Sequence, residues 1–251
     1  VSTVDAVARI RATLDAHGRT VLPELVGDGP LALRRSRHPD HDTAAHVVLV
    51  GAMAGPLGGD RLRIVVDLEP GARLLVTSAA ATLSLPGREP APAHYDLDLT
   101  VGPDAELTWT PEPVVACTGS DLRLRTCLRL APTARLLWRE EQILGRHGEP
   151  PGRLASRLTL RRDGRLLLDQ ATDVGEGAPA GWDGPAVLAG HRALGQLLTT
   201  APLSPPAGGL AASFPLDDTF TLLSALAPDA HTLRQTLASA PASPERHPAL
   251  R

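Results

Sequence analysis

Lysine and asparagine are absent from this chain of 251 residues, so all 25 basic side chains are arginine. The missing lysine excludes a P-loop lysine, a Schiff base and a lysine nucleophile. The missing asparagine leaves no N-glycosylation acceptor. A GC-rich coding bias accounts for both gaps. Aromatic residues make up only 2% of the chain, too few to build stacking platforms for single-stranded nucleic acid. A net charge of −3 likewise gives no bulk case for nucleic-acid binding. The two cysteines, Cys117 and Cys127, do not make a disulfide framework. Their spacing does not suit a pair of thiolate metal ligands, and they read as small buried apolar residues. There is no run of 18 apolar residues and no charged-then-apolar leader. The expectation is a soluble, cytoplasmic protein with no membrane partner.

What the chain does have is a repeat. Alternating strand, tight turn and alternating strand recur four times. The turns are Glu69-Pro70-Gly71-Ala72, Gly102-Pro103-Asp104-Ala105, Ala131-Pro132-Thr133-Ala134 and Arg162-Asp163-Gly164-Arg165, with centres 33, 29 and 31 residues apart. Such a period marks stacked units, each too small to bury its own apolar face. The fold class expected is mostly β, with stacked or coiled antiparallel strands resembling a β-helix and one or a few short helices. Arg61–Leu68, Tyr95–Val101 and Leu122–Leu130 alternate polar and apolar residues, which reads as antiparallel sheet with one wet face. The four turns are expected on one edge.

The remaining segments read less evenly. Residues 8–14 fit a strand, though a helix also fits. Residues 186–198 are ambiguous between the two. Thr219–Leu226 reads as a strand, and Asp229 is placed to cap a short helix carrying Leu233 and Leu237. The apolar-rich stretch from Val187 to Leu237 is either a docking surface or the closure of the stack's end. One domain is expected over residues 1–240, with 241–251 a disordered tail.

Few constellations suggest chemistry. His38, Asp40 and His41, with His46 nearby, form the densest cluster of metal-type donors, although no zinc-finger spacing fits and a solvated polar turn is the simpler reading. His147 beside Glu149 is a possible acid–base pair, with a charged surface turn the simpler reading. Glu140 and Glu141 are adjacent on a strand and so point to opposite faces, which argues against a shared-proton pair. The Gly58-Gly59-Asp60 bend is expected to place one glycine at positive φ and to bond Asp60 to nearby backbone amides. Nothing here has the form of a catalytic engine.

In order along the chain, several segments resemble the urease accessory protein UreD family, also called UreH. They include Gly18-Arg19-Thr20, Gly58-Gly59-Asp60-Arg61, Pro70-Gly71-Ala72, Thr77-Ser78 with Thr82, Ala105–Trp109 with Pro111, and Leu144-Gly145-Arg146 with Gly148-Glu149. Together they span about residues 18–170. The family commonly reads Thr-Thr-Gln-Ala-Ala-Thr-Lys where this chain has Thr77-Ser78-Ala79-Ala80-Ala81-Thr82-Leu83, so an amide and a basic side chain are missing.

The resemblance implies a non-catalytic maturation factor that works with UreF and the GTPase UreG to deliver nickel to urease subunits. It implies no tightly bound cofactor, only transient nickel. It marks Gly58, Gly59, Asp60, Arg61, Thr77, Thr82, Gly145, Arg146 and Glu149 as family-motif positions. A carbohydrate-active β-helix enzyme and a generic protein-binding module are the alternatives. One tyrosine and three tryptophans count against the enzyme.

Overall fold

In the computed structural model, residues 3–37, 44–203 and 209–239 are described. In chain order the strands are β1 (Asp5–Leu14), β2 (Thr20–Val26), β3 (Leu31–Ser36), β4 (Ala45–Gly51), β5 (Arg61–Leu68) and β6 (Arg73–Ser78). They continue as β7 (Thr82–Ser84), β8 (Ala93–Val101), β9 (Glu106–Trp109), β10 (Val114–Ala116), β11 (Asp121–Leu130) and β12 (Arg135–Leu144). The last are β13 (Arg153–Arg162), β14 (Arg165–Val174), β15 (Ala193–Thr199), β16 (Leu210–Pro215) and β17 (Thr221–Ala227), followed by the helix α1 (Ala230–Ala238).

These strands form a coil of two facing sheets. The first runs β14-β13-β11-β8-β5-β1-β2; the second runs β16-β17-β15-β12-β9-β6-β4-β3, with β10 alongside β12 and β7 alongside β10. The chain climbs a strand of the first sheet, turns the corner and descends the second. It then returns one strand further along. Neighbours in the repeat are therefore parallel: β5 with β8, β8 with β11, β11 with β13, β6 with β9, and β9 with β12. The mostly-β stacked class is as the repeat implied, resembling a β-solenoid. The antiparallel pairing expected within it is corrected. Period-2 alternation specifies which face is buried, not which strand lies alongside. The first three turns join opposite sheets rather than hairpin partners.

Only the fourth turn makes a hairpin, pairing β13 with β14 antiparallel. Asp163 and Gly164 supply its two positive φ values, 50° and 75°, the geometry that a two-residue hairpin turn needs. All four turns do lie along one edge. Gly71 N–H donates to Pro103 O, Asp104 N–H to Thr133 Oγ1, and Asp163 N–H to Leu130 O.

Burial follows the alternation. Leu62, Ile64, Val66 and Leu68 of β5 face the core with Leu97, Leu99 and Val101 of β8 and Leu122, Leu124, Leu128 and Leu130 of β11. The opposite, wet face carries Arg125 paired with Asp96 at 2.9 Å and Arg157 paired with Asp169 at 2.6 Å. Residues 8–14 belong to a strand, and the ambiguous 186–198 stretch runs into β15 from residue 193.

The C-terminal third extends the second sheet and packs on it. Leu198, Phe220 and Leu222 enter the main core, while α1 packs Leu233 and Leu237 against Leu197, Leu223 and Ala225 on the outer face of the second sheet. Asp229 caps α1 as expected, its carboxylate accepting from Thr232 N–H at 2.8 Å. Gly195 admits the helix; a Cβ there would lie 2.9 Å from Leu237 Cδ1 and 3.0 Å from Leu233 Cδ2. The tail 241–251 lies outside the described residues.

Candidate functional site

The second sheet has a break in it. β6 gives way to β7 across Ala79–Ala81, and β9 to β10 across residues 110–113, where Pro111 and Pro113 cannot donate to a ladder. Ser78 ties the two gaps together: its Oγ accepts from Glu112 N–H at 2.8 Å and donates to Ala80 O at 3.0 Å. β12 alone runs straight past the break, pairing with β9 at one end and β10 at the other.

Behind the break lies a cavity of about 410 Å³ between the sheets. Leu62, Tyr95, Leu97 and Leu124 wall it from the first sheet, and Trp109, Trp138 and Glu140 from the second. The two tryptophans stack with ring centroids 5.1 Å apart. Its rim is apolar and exposed at Met53, Ala79, Ala80, Ala81 and Leu83. Ala79 and Leu83 are the positions where the family pattern has its amide and its basic residue, so the missing groups would have sat on this rim.

Strand parity sets the polar groups of the interior. Leu136 and Trp138 point into the core, so Glu140 and Gln142 do too. Gln142 Nε2 donates to Glu140 Oε1 at 2.9 Å. Glu140 keeps some accessible surface, but that surface faces the cavity; burial pushes its carboxyl up to about 7, and the Gln142 bond only partly opposes this. Gln196 lies opposite Glu140 on β15, and its Oε1 is buried without a hydrogen bond, as are Trp138 Nε1 and Thr126 Oγ1. Burial also pushes the Tyr95 phenol up.

Glu141 points the other way, as alternation required. It meets Arg139 at 3.0 Å and Arg234 of α1 at 3.0 Å, while Arg234 also reaches Glu112 at 2.9 Å. Arg139 further donates to Thr110 O and Pro111 O, holding the edge of the break in place. Burial lowers the Arg139 pKa, against the pull of Glu141.

The other sequence-derived positions scatter. Gly59 has the positive φ, 94°; Gly58 does not, but a Cβ on it would meet Gly87 N at 2.6 Å. Asp60 is buried and accepts from Val4 N–H and Leu57 N–H, both at 2.9 Å. Arg61 opens β5 on the wet face, exposed. Thr77 Oγ1 lies 2.9 Å from His46 Nε2, and Thr82 lines the cavity as the first residue of β7.

Gly145, Arg146 and Glu149 build a turn after β12, with Gly145 at φ 76°. Glu149 binds the Arg146 side chain and backbone, which hold its carboxyl down at about 2, the wrong range for a base paired with His147. Cys117 is buried as expected, but Cys127 is only half-buried, with Arg125 Nη1 3.9 Å from its sulfur. His38, Asp40 and His41 lie outside the described residues. Among the described residues no three His, Cys, Asp or Glu side chains converge as a metal site.

The interior positions Glu140, Gln142 and Gln196 were not assembled from sequence. The available signal was parity: a carboxylate and an amide in phase with Leu136 and Trp138.

Coil and cavity together define a β-solenoid scaffold with a chamber that opens through the break in the second sheet and that Glu140 faces from within. The family model described as UreD urease accessory protein matches residues 5–247, well beyond the 18–170 stretch that the motifs covered. Urease accessory protein UreD of Streptomyces coelicolor is 55% identical over 247 residues, covering 96% of each chain. UreD 3 of Streptomyces griseus is 54% identical over 244 residues, covering 94% of this chain and 95% of its own. The UreD of a Parafrankia species is 38% identical over 264 residues, covering 95% and 88%. The chain belongs to the UreD urease accessory protein family.

Proposed function

We propose that this chain is a urease maturation factor that turns over no substrate itself. It acts in the cytoplasm with UreF and the GTPase UreG, docks urease subunits and passes nickel toward the urease active site. Nickel is cargo, with no cofactor held in residence. Family membership across residues 5–247 supports the role. The observation that carries the route is Glu140, facing a chamber that opens through the break in the second sheet.

A bare cation entering an apolar-walled space loses hydration, at a cost that only a compensating charge or set of dipoles offsets. Glu140 supplies the charge once its proton leaves, and the amides of Gln142 and Gln196 supply dipoles. Carboxyl and amide oxygens are exchangeable donors, which suits passage; a closed set of thiolates or imidazoles would retain the ion. The nucleotide chemistry falls to UreG, in keeping with the absence of any lysine here.

The test is urease activation in cells lacking this gene, with nickel per urease measured alongside. Complementation with the Glu140→Leu variant is expected to leave the complex with UreF intact while lowering nickel content. Full activation without the gene would overturn the maturation role. Full nickel loading by Glu140→Leu would overturn the route alone.

A further inference from the structure

Among the described residues, the main ladder of each sheet ends on two strands with no strand on their outer side: β14 and β2 in the first, β16 and β3 in the second; the three-residue β7 is a further short edge beside the break. Such an edge is a template for another strand, and native edges are guarded by proline or charge. β2 carries Pro23 and Glu24, and β3 carries Arg34 and Arg35. β14 carries Asp169 and Asp173, each in an ion pair with an arginine of β13. β16, Leu-Ala-Ala-Ser-Phe-Pro, carries no charge, and its proline is the last residue. Leu210 and Phe214 are each 49% exposed. Of the four ladder ends, three are protected and the fourth, among the described residues, is left open.

The open edge is also self-complementary. Leu210, Ala212 and Phe214 share one face by the two-residue period of a strand. We propose that β16 pairs antiparallel with β16 of a second copy of this chain about a two-fold axis at Ala212. That register sets Leu210 of one copy opposite Phe214 of the other, twice, with the two Ala212 residues facing each other at the axis. It also keeps all six of these side chains on one face. Moving the axis between Ala212 and Ser213 would instead oppose Leu210 to Pro215 and mix the faces.

A six-residue edge gives a contact at the small end of specific interfaces, below about 1,200 Å², where association is weak. The dimer is therefore concentration-dependent. It adds to the maturation role and does not depend on it.

Analytical ultracentrifugation of the purified full chain tests this. The wild type is expected to shift from monomer to dimer as concentration rises. Ala212→Glu, which stacks two carboxylates at the axis, is expected to stay monomeric with an unchanged circular dichroism spectrum. A monomeric wild type throughout, or an Ala212→Glu dimer as tight as wild type, would overturn the proposal. Cross-linking gives a second reading in a Cys127→Ser background. Opposed antiparallel residues have Cα atoms about 4.5–5.5 Å apart, within disulfide range. Ala212→Cys is thus expected to form a disulfide-linked dimer on mild oxidation, and Ala211→Cys, which this register sets opposite Ser213, is not. Equal cross-linking at the two positions would overturn the register and the proposal with it.

Discussion

Arg234 of α1 and Glu141 of β12, 93 positions apart, meet in a forked ion pair, with Nε 3.1 Å and Nη2 3.0 Å from the carboxylate. Glu141 has no exposed side-chain surface, and it also neutralises Arg139, whose side chain is only 4% exposed. The helix is thereby tied to the strand that spans the break in the sheet.

The two ends of that tie carry unequal weight. Glu141→Gln leaves Arg139 buried without a counter-charge, a change that costs about 3–5 kcal/mol. Arg234→Gln leaves Glu141 still paired with Arg139 and removes a side chain that is 31% exposed, so its cost is expected to be less than half as large. Urea unfolding of both single variants and the double variant checks the order. Equal losses would contradict it.

Glu140 predicts a pH dependence of definite sign. In the folded chain its carboxyl keeps its proton up to about 7, against 4.5 ordinarily. Between those values the folded state holds the extra proton. Its contribution to stability is therefore whole below about pH 4.5, is lost as pH rises, and levels off above about 7. Glu140→Gln removes that slope and is expected to exceed wild type by about 3 kcal/mol at pH 8, with most of the gap closed near pH 5. Urea midpoints of the two proteins across this range provide the measurement.

The bend before β5 is expected to tolerate neither glycine replacement, for different reasons. Gly58→Ala drives a Cβ into the backbone of Gly87, 2.6 Å from its nitrogen, and into Ala91 O at 2.8 Å. Gly59→Ala forces a positive φ and meets the Thr3 side chain, which can rotate aside. The expected losses are about 1 kcal/mol for Gly59→Ala and more for Gly58→Ala, read from thermal unfolding. Asp60→Ala, which orphans the amides of Val4 and Leu57, is expected to cost about 1–3 kcal/mol.

Glu149 gives a spectroscopic check. Its carboxyl sits at about 2 chiefly because the Arg146 side chain bonds it. In Arg146→Met, NMR titration of the Glu149 carboxyl carbon is expected to move toward the ordinary glutamate range. An unmoved titration would mean that the backbone amides of Arg146 and Thr118 hold it alone.

Much of the architecture is local and so could be read along the chain. Alternation at Arg61–Leu68 and Leu122–Leu130 assigned faces correctly because side-chain direction has a period of two. The direction of pairing was not legible. It depends on where the chain returns after each turn, and Pro70-Gly71 here leads to the facing sheet instead of back alongside. The same distinction applies to the site. Parity alone places Glu140 inside and Glu141 outside. That a chamber lies beside Glu140, and that Arg234 reaches across to Glu141, are products of the closed coil and leave no mark at either position.

The stacked corner sets where this chain can change length. At Gly71, Asp104 and Asp163 each turn is hydrogen-bonded to a neighbouring layer, so an added residue there disturbs two layers at once. At the other corner the chain crosses back by Leu85–Pro92, Cys117–Ser120 and Gly145–Gly152; the last two are tied together by Gly145 and Gly152 N–H donating to Ala116 O and by Thr118 Oγ1 donating to Pro150 O, whereas Arg88, Glu89 and Pro90 of the first are exposed. Insertions and tags therefore belong in that exposed stretch. A purification tag within residues 88–90 would extend one loop, whereas the same tag at Pro103 would disturb two layers.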